Sequence, residues 1–213
     1  MKCNKETMLL YAVTDRTWVG NQSLIEQVEE AIKGGVTCVQ LREKELEEEA
    51  FLSEAIELKN ICSRYQVPFI INDDVEVAIK CGADGIHVGQ KDMEAGNVRA
   101  MVGEDMIIGV SVQTVEQALA AQKAGADYLG VGAVFTTTTK LDANSVSHET
   151  LKEICETVSI PVVAIGGINK SNILGLSGTG VDGVALVSAI FAAKDIASEC
   201  VILRSLSDKM VQG

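Results

Sequence analysis

Eight short apolar runs alternate with eight helix-like stretches along this chain, and few folds accommodate that order. Short strands that alternate with helices pair in parallel through right-handed crossovers. The predicted strands are Leu9–Val13, Cys38–Leu41, Phe69–Ile71, Gly85–Val88, Ile107–Val110, Tyr128–Val131, Val162–Ile165 and Val184–Val187. The predicted helices are Leu24–Lys33, Glu47–Tyr65, Val75–Cys81, Met93–Val102, Val115–Ala124, Glu149–Val158, Ser171–Leu176 and Ala189 to about Met210. Eight such units in 213 residues are typical of a compact α/β fold, the (β/α)8 TIM barrel.

An open, doubly wound sheet is the competing architecture. It normally has fewer strands, and a glycine-rich turn often follows its first strand. Here the first strand runs into Val13-Thr14-Asp15-Arg16, which contains no glycine. No linker or low-complexity tract divides the chain. We therefore predict that residues 1–213 form a single (β/α)8 barrel domain.

A weak internal repeat also favours the barrel. Glycine-containing turns precede every second predicted strand, roughly 50 residues apart, which is about two strand–helix units. Glycine at such a position accepts the left-handed conformation that ends a helix. The repeated turns are Gly34-Gly35-Val36, Gly82-Ala83-Asp84, Gly125-Ala126-Asp127 and Gly180-Val181-Asp182.

Composition excludes several classes of function. Lys and Arg number 18 against 30 Asp and Glu, and this net charge of −12 disfavours a general nucleic-acid or membrane surface. The six cysteines show no CxxC spacing and are interpreted as reduced, buried residues of a cytoplasmic protein. The first ten residues lack the apolar segment of a signal peptide. Only 4% of residues are aromatic, so the core is expected to be aliphatic.

Polar residues that follow the strands are the candidates for an active site, because barrel enzymes place it at the carboxyl ends of their strands. An extended backbone would project Gln40, Arg42 and Lys44 to one side, as an anion grip. The alternative, that Arg42 and Lys44 merely pair with Glu43 and the acidic helix after it, is about equally plausible from spacing alone.

Two carboxylates are expected at the same end of neighbouring strands. Asp73 and Asp92 would suit Mg²⁺, which takes one or two acidic ligands together with phosphate oxygens and water. The alternative is that Asp73 or Asp74 caps the helix that begins at Val75. His87 has apolar neighbours, so a core or barrel-lining role is favoured over catalysis.

Later strand ends carry features suited to phosphate. Four threonines and Lys140 follow strand six, and glycines follow strand seven at Gly166 and Gly167. Ser188 follows strand eight at a helix start, where free N–H groups bind anions. Two phosphate-type sites and a metal site at one mouth indicate two phosphorylated substrates, or one large one.

Seven short motifs, in register over nearly the whole chain, resemble the thiamine-phosphate synthase family. They are Tyr11-Ala12-Val13-Thr14-Asp15, Gln40-Leu41-Arg42-Glu43-Lys44, Ile71-Asn72-Asp73-Asp74, His87-Val88-Gly89-Gln90-Lys91-Asp92, Gly109-Val110-Ser111, Thr137-Thr138-Thr139-Lys140 and Gly166-Gly167-Ile168. The resemblance implies a transferase of thiamine biosynthesis. It would couple 4-amino-5-hydroxymethyl-2-methylpyrimidine diphosphate to a hydroxyethylthiazole-type phosphate in a dissociative, Mg²⁺-assisted substitution that releases pyrophosphate.

The resemblance also implies residue roles. The pyrimidine diphosphate would be held by Gln40, Leu41, Arg42, Glu43, Lys44, Asn72, Ser111 and Lys140. The thiazole phosphate would be held by Thr137, Thr138, Thr139, Gly167, Val187 and Ser188. Mg²⁺ is the expected cofactor, with Asp73 and Asp92 as its ligands. The expected catalytic residues are Arg42, Lys44, Ser111 and Lys140.

One segment departs from the family pattern, since Ala133 and Thr136 stand where the family usually has proline. A thiazole tautomerase on the same barrel is the main alternative function, and a non-catalytic phosphate-binding barrel is another. The simultaneous presence of Arg42, Lys44, Asp73, Asp92 and Lys140 favours the synthase. The expected partners are two small-molecule substrates, without nucleic acid or membrane, and self-association into a homo-oligomer stays open.

Overall fold

The fold is a closed parallel barrel, seen in a computed structural model that describes residues 3–20, 22–89, 98–136 and 145–213. Eight strands are hydrogen-bonded in chain order, and the first strand pairs with the last through Leu10 and Val184. The strands are β1 Leu10–Val13, β2 Cys38–Leu41, β3 Phe69–Asn72, β4 Gly85–Val88, β5 Ile107–Val112, β6 Tyr128–Gly132, β7 Val162–Ile165 and β8 Gly183–Leu186. This closure confirms the predicted (β/α)8 barrel and excludes the doubly wound sheet.

Helices connect the strands and cover the outside of the barrel. The α-helices within the described residues are Lys5–Met8, Leu24–Lys33, Glu48–Arg64, Val75–Lys80, Val98–Val102, Val115–Lys123, His148–Thr157, Ser188–Phe191 and Ile196–Gln212. Two 3₁₀ helices lie at Arg16–Trp18 and Ile173–Leu176. None of the described helices is long and apolar enough to cross a membrane.

Within the described residues, two of the predicted helices need correction, while residues 93–97 of the helix predicted at Met93–Val102 lie outside them. The single final helix from Ala189 to about Met210 is instead two helices, Ser188–Phe191 and Ile196–Gln212. The second is capped by Asp195, whose carboxylate accepts a hydrogen bond of 2.8 Å from the N–H of Ser198, and such a cap starts a new helix. The helix predicted at Ser171–Leu176 is a 3₁₀ turn that begins at Ile173.

Side chains that alternate along each strand divide the core into two parts. Inside the barrel lie Met8, Tyr11, Val13, Cys38, Ile70, Ile107, Tyr128, Val163 and Ala185, all buried. Outside it, a larger aliphatic cluster packs the strands against the helices. The helix Leu24–Lys33 shows how the sequence sets this packing, since a Ser23–Glu26 capping box starts it and Val28 and Ala31 are fully buried on its inner face.

The repeated glycine turns have a structural role at the amino-terminal end of the barrel. Gly35, Gly82, Gly125 and Gly180 all have positive φ angles, as the sequence predicted. Two residues beyond each glycine, a side-chain oxygen accepts the N–H of the first or second residue of the preceding strand. The four bonds run from Leu10 to Thr37, Phe69 to Asp84, Ile108 to Asp127 and Val162 to Asp182, at 2.8–2.9 Å. The same kind of side-chain-to-backbone hydrogen bond therefore joins consecutive strands in four pairs.

Candidate active site

The carboxyl ends of the strands bring most of the predicted site residues to one face of the barrel. Gln40 and Leu41 end β2, Asn72 ends β3, and Ser111 is the second-to-last residue of β5. Gly167 follows β7, while Val187 and Ser188 follow β8. Five predicted residues lie outside the described part of the chain and receive no structural account: Asp92, Thr137, Thr138, Thr139 and Lys140.

Arg42 and Lys44 each pair with a carboxylate on a neighbouring strand end. Arg42 Nη1 lies 3.5 Å from Asp15 Oδ2, after β1, and Lys44 Nζ lies 2.7 Å from Asp73 Oδ2, after β3. The Lys44 side chain is half exposed, so its ammonium group lies at the open mouth. These pairs contradict the alternative in which the two cations pair with Glu43 and the acidic helix.

Glu43 is instead held inside its own loop. Its Oε2 accepts bonds of 2.8 and 2.6 Å from Nε and Nη2 of Arg16, a residue that also contacts Glu54 at 2.7 Å. Its Oε1 accepts the N–H groups of Lys44 and Glu45, both at 2.7 Å. Burial by itself raises the pKa of Glu43, but these backbone donors and Arg16 outweigh it and hold that pKa below its usual 4.5. The Glu43 carboxylate therefore shapes the loop that carries Arg42 and Lys44.

Of the two adjacent aspartates after β3, one is the helix cap. Asp74 caps the helix Val75–Lys80, with Oδ1 accepting the N–H of Val77 at 2.8 Å. Asp73 has a φ angle of +64°, and its Oδ2 accepts bonds from Asn72 Nδ2 and Lys44 Nζ, both at 2.7 Å. Because Asp74 provides the cap, the Asp73 carboxylate is directed to the mouth, as a metal ligand would require.

The Gln40 side chain points in a different direction from the side chains of Arg42 and Lys44. Its amide is buried inside the barrel and donates a 2.7 Å bond to the hydroxyl of Tyr11. The expectation that all three side chains project together is therefore wrong for Gln40, because an inward position on β2 faces the barrel interior. Leu41 faces the outer core and is fully buried, so only its backbone lies near the mouth.

His87 and two tyrosines form a polar centre that the sequence reasoning did not find. His87 Nδ1 lies 2.9 Å from Tyr128 Oη, and its Nε2 lies 2.9 Å from Ser111 Oγ. Burial raises the pKa of Tyr128 well above its usual 10. The predicted barrel-lining role of His87 is confirmed, with the addition that it contacts a candidate site residue.

Glycines on the neighbouring strands were the available signal for this centre. A Cβ atom at Gly109 would overlap the phenol ring of Tyr128, and one at Gly130 would lie 3.1 Å from His87 Cε1. A glycine in a strand often marks a close approach by another group. Gly109 and Gly130 therefore make the space that the two rings occupy.

The turn after β7 lies against the loop that follows β6. Gly167 has a φ angle of +67°, and a Cβ there would overlap the carbonyl oxygen of Thr136. Backbone bonds of 3.0 Å join Val134 to Ile165 and Phe135 to Gly166. Between Ala133 and Thr136, this chain thus joins Val134 and Phe135 to the end of β7 and the turn after it through the backbone.

Together, the barrel and its mouth define a class: a (β/α)8 barrel with ionic and amide side chains gathered at the carboxyl ends of its strands, the arrangement of barrel enzymes. The chain belongs to the thiamine monophosphate synthase family, whose profile matches residues 10–190.

Similar proteins include the thiamine-phosphate synthase of Ruminiclostridium cellulolyticum, 54% identical over 89% of this chain and 90% of the relative. That of Clostridium botulinum is 48% identical over 97% of both chains. Among solved structures, thiamine phosphate pyrophosphorylase from Pyrococcus furiosus superposes with a TM-score of 0.89 at 38% identity, covering 97% of this chain and 98% of that one.

Proposed function

We propose that this chain is a thiamine-phosphate synthase, a transferase that joins a pyrimidine diphosphate to a thiazole phosphate and releases pyrophosphate. The observation that carries the proposal is the arrangement of Arg42 and Lys44 on one loop at the barrel mouth, beside the Asp73 carboxylate. Such a set of charges suits a diphosphate and its counter-ion. The family membership of the chain names the same chemistry.

Binding of the diphosphate would replace the carboxylate partners of the two cations. Arg42 lies 3.5 Å from Asp15, a loose pair, and its planar group can grip two phosphate oxygens at once. Lys44 is half exposed and can turn from Asp73 toward phosphate. Asn72 and Ser111, at the ends of β3 and β5, would contact the same substrate. Glu43 would act by holding the loop that carries Arg42 and Lys44. Leu41 would contact the substrate through its backbone only.

Mg²⁺ is the cofactor that fits the donors on this face. Asp73 offers a hard carboxylate oxygen at the mouth, and Asp92 is proposed as the second ligand. When bound, Mg²⁺ supplies positive charge that stabilises the leaving diphosphate. Lys44 would then exchange its contact with Asp73 for a phosphate oxygen.

Charge develops on the diphosphate as its bond to the pyrimidine methylene group breaks. Arg42 and Lys44 stand on a loop that the Glu43 carboxylate organises, so after the two side chains turn to the diphosphate the loop itself needs little rearrangement to stabilise that charge. Lys140 is proposed as a third cation, and Ser111 as a hydroxyl contact beside them. The attacking thiazole nitrogen carries no proton, so no general base is required, and His87 is engaged inside the barrel.

The thiazole phosphate is proposed to bind at the opposite side of the mouth. Its ligands would be Thr137, Thr138 and Thr139 together with Gly167, Val187 and Ser188. The turns after β7 and β8 come together there because these two strands are hydrogen-bonded neighbours. Loops after strands seven and eight commonly hold phosphate in such barrels.

Residues 1–213 are proposed to act as one catalytic domain in the cytoplasm, with small molecules as partners. The six free thiols support this location, because reducing compartments keep cysteines unpaired.

Product identity tests the proposed reaction. The protein is incubated with the pyrimidine diphosphate, the thiazole phosphate and Mg²⁺, and the product is identified by mass. Thiamine phosphate is expected, at a rate that is lost in an Arg42→Ala, Lys44→Ala double variant. Isomerisation of the thiazole phosphate alone, with no coupled product, would contradict the proposal in favour of the tautomerase.

A further inference from the structure

A continuous chain of polar side chains crosses the interior of the barrel. It runs from Gln40 Nε2 to Tyr11 Oη at 2.7 Å, and from there to Tyr128 Oη at 2.8 Å. It continues to His87 Nδ1 at 2.9 Å, and from His87 Nε2 to Ser111 Oγ at 2.9 Å. The two tyrosines are fully enclosed, with 1% and 0% of their surface exposed. One end of this network, Ser111, is a proposed substrate contact, and the other end, Gln40, is buried inside the barrel.

The donor at one end favours one direction for the other bonds. The amide nitrogen of Gln40 can only donate, so the Tyr11 oxygen accepts. Burial raises the pKa values of both phenols well above 10, so each keeps its single proton at neutral pH. If Tyr11 donates to Tyr128, then Tyr128 donates to Nδ1 of His87. That ring nitrogen must then be unprotonated, and the ring proton resides on Nε2.

The opposite direction is less favourable. Tyr11 would accept from both Gln40 and Tyr128, and its own proton would turn toward the buried sulfur of Cys38. Sulfur is a weak acceptor, whereas a phenol oxygen is a good one. The direction that starts at Gln40 therefore gives each proton of the chain an oxygen or nitrogen acceptor.

We propose that Gln40, acting through the two tyrosines, holds His87 as its neutral Nε2–H tautomer, so that Ser111 accepts from His87 and donates its own hydroxyl hydrogen at the barrel mouth. His87 is then a positioning residue, and Ser111 is suited to an oxygen or nitrogen acceptor of its ligand. That the ligand is the pyrimidine diphosphate rests on the proposed function. The tautomer itself does not.

The ring protons are read directly by ¹⁵N NMR of the full chain without substrate. The sequence has two histidines, and a His148→Gln variant assigns the other set of signals to His87. We expect the His87 Nε2 signal to be that of a protonated nitrogen and the Nδ1 signal that of an unprotonated one. A proton on Nδ1, or on both nitrogens, would overturn the proposal whether or not the protein is a synthase.

Reversing the direction of the interior hydrogen bonds by a change at Gln40 is the sharper experiment. In Gln40→Glu, an ionised carboxylate accepts from Tyr11, so the other bonds reverse and His87 should carry its proton on Nδ1. The signals are followed through a pH series, and the change should accompany ionisation of Glu at position 40. Gln66→Glu adds the same charge at an exposed site and should leave the tautomer unchanged.

A second variant guards against an indirect effect of the new charge. Tyr11→Phe removes the hydroxyl that joins Gln40 to Tyr128, so Gln40→Glu should no longer change the tautomer in that background. An unchanged tautomer in Gln40→Glu over the whole series, or the same change with Tyr11→Phe present, would overturn the coupling. The wild-type tautomer decides the proposal if Gln40→Glu does not fold.

Turnover supplies an independent readout in the active enzyme. His87→Gln retains an amide donor that reaches toward Ser111, whereas His87→Met has similar length and no donor. We expect kcat to be roughly tenfold higher for the Gln variant than for the Met variant, at similar KM, the usual scale of one hydrogen bond. Equal kcat values would contradict the positioning role.

Discussion

At the scale of single residues, the mouth is organised by one carboxylate that touches no substrate in our account. Glu43 is 2% exposed in its side chain and accepts two bonds from Arg16 and three from the loop backbone. Its neighbours Arg42 and Lys44 point away to Asp15 and Asp73. The motif spacing suggested that three alternating side chains, Gln40, Arg42 and Lys44, grip an anion, but the acid between the two cations folds the loop.

Replacement of Glu43 by Gln tests this role through stability. Because the folded pKa of Glu43 is lowered, its contribution is complete above the unfolded pKa and disappears as pH falls through the folded value. We expect the variant to unfold with about 2–3 kcal/mol less free energy at neutral pH, the scale of hydrogen bonds to a charged group. Denaturant titrations at several pH values measure it. A deficit that persisted unchanged well below pH 4.5 would contradict the assignment.

Lys140 is the third cation proposed to stabilise the leaving diphosphate. Loss of one group that stabilises developing charge typically lowers turnover by about 10²–10³. We expect Lys140→Ala to lower kcat by that factor. Lys209→Ala, on the exposed face of the last helix, is the matched control and should keep the wild-type rate. An unchanged kcat in Lys140→Ala would remove that residue from the mechanism.

At the scale of elements, the sequence predicted most strands and helices because apolar periodicity is a local signal. Cys38–Leu41, Gly85–Val88, Val162–Ile165 and Leu24–Lys33 have the predicted bounds. The break near Asp195 was missed, since the apolar residues on both sides continue one helical pattern and only the cap separates them. The choice between Asp73 and Asp74 as the helix cap likewise needed backbone geometry, which spacing does not contain.

The two aspartates can now be separated by matched variants. Asp74→Ala removes the cap bond to Val77, so we expect a loss of about 1 kcal/mol in unfolding free energy and a small effect on turnover. Asp73→Asn should keep stability, because Asn accepts a positive φ angle, but should require more Mg²⁺ for half-maximal rate. Unfolding curves and Mg²⁺ titrations measure both. Unaltered Mg²⁺ dependence in Asp73→Asn would contradict the metal assignment.

At the scale of the whole molecule, one end of the barrel holds the strands in register and the other end carries the proposed active site. The amino-terminal end repeats one side-chain-to-strand bond four times, at Thr37, Asp84, Asp127 and Asp182. The sequence showed this repeat as glycine spacing, but not the hydrogen bonds that explain it. The interior polar chain was not predicted, because its bonded members lie 24 to 117 residues apart in the sequence and meet only when the barrel closes.

Removal of one of the four repeated hydrogen bonds should lower the stability of the protein without changing catalysis. Thr37→Val preserves shape but leaves the N–H of Leu10, at the start of β1, without this acceptor. We expect about 1–3 kcal/mol less unfolding free energy with kcat unchanged. Thermal unfolding and steady-state assays measure the two. Wild-type stability in this variant would contradict the proposed role of the repeat.

The central claim, that this barrel couples two phosphorylated substrates with loss of pyrophosphate, is tested most directly by the stoichiometry of release. Pyrophosphate and thiamine phosphate are quantified with the pyrimidine diphosphate, the thiazole phosphate and Mg²⁺ together, and again with each omitted in turn. We expect equal amounts of the two products, formed only when all three components are present. Pyrophosphate release without thiamine phosphate, or no release from the complete mixture, would contradict it.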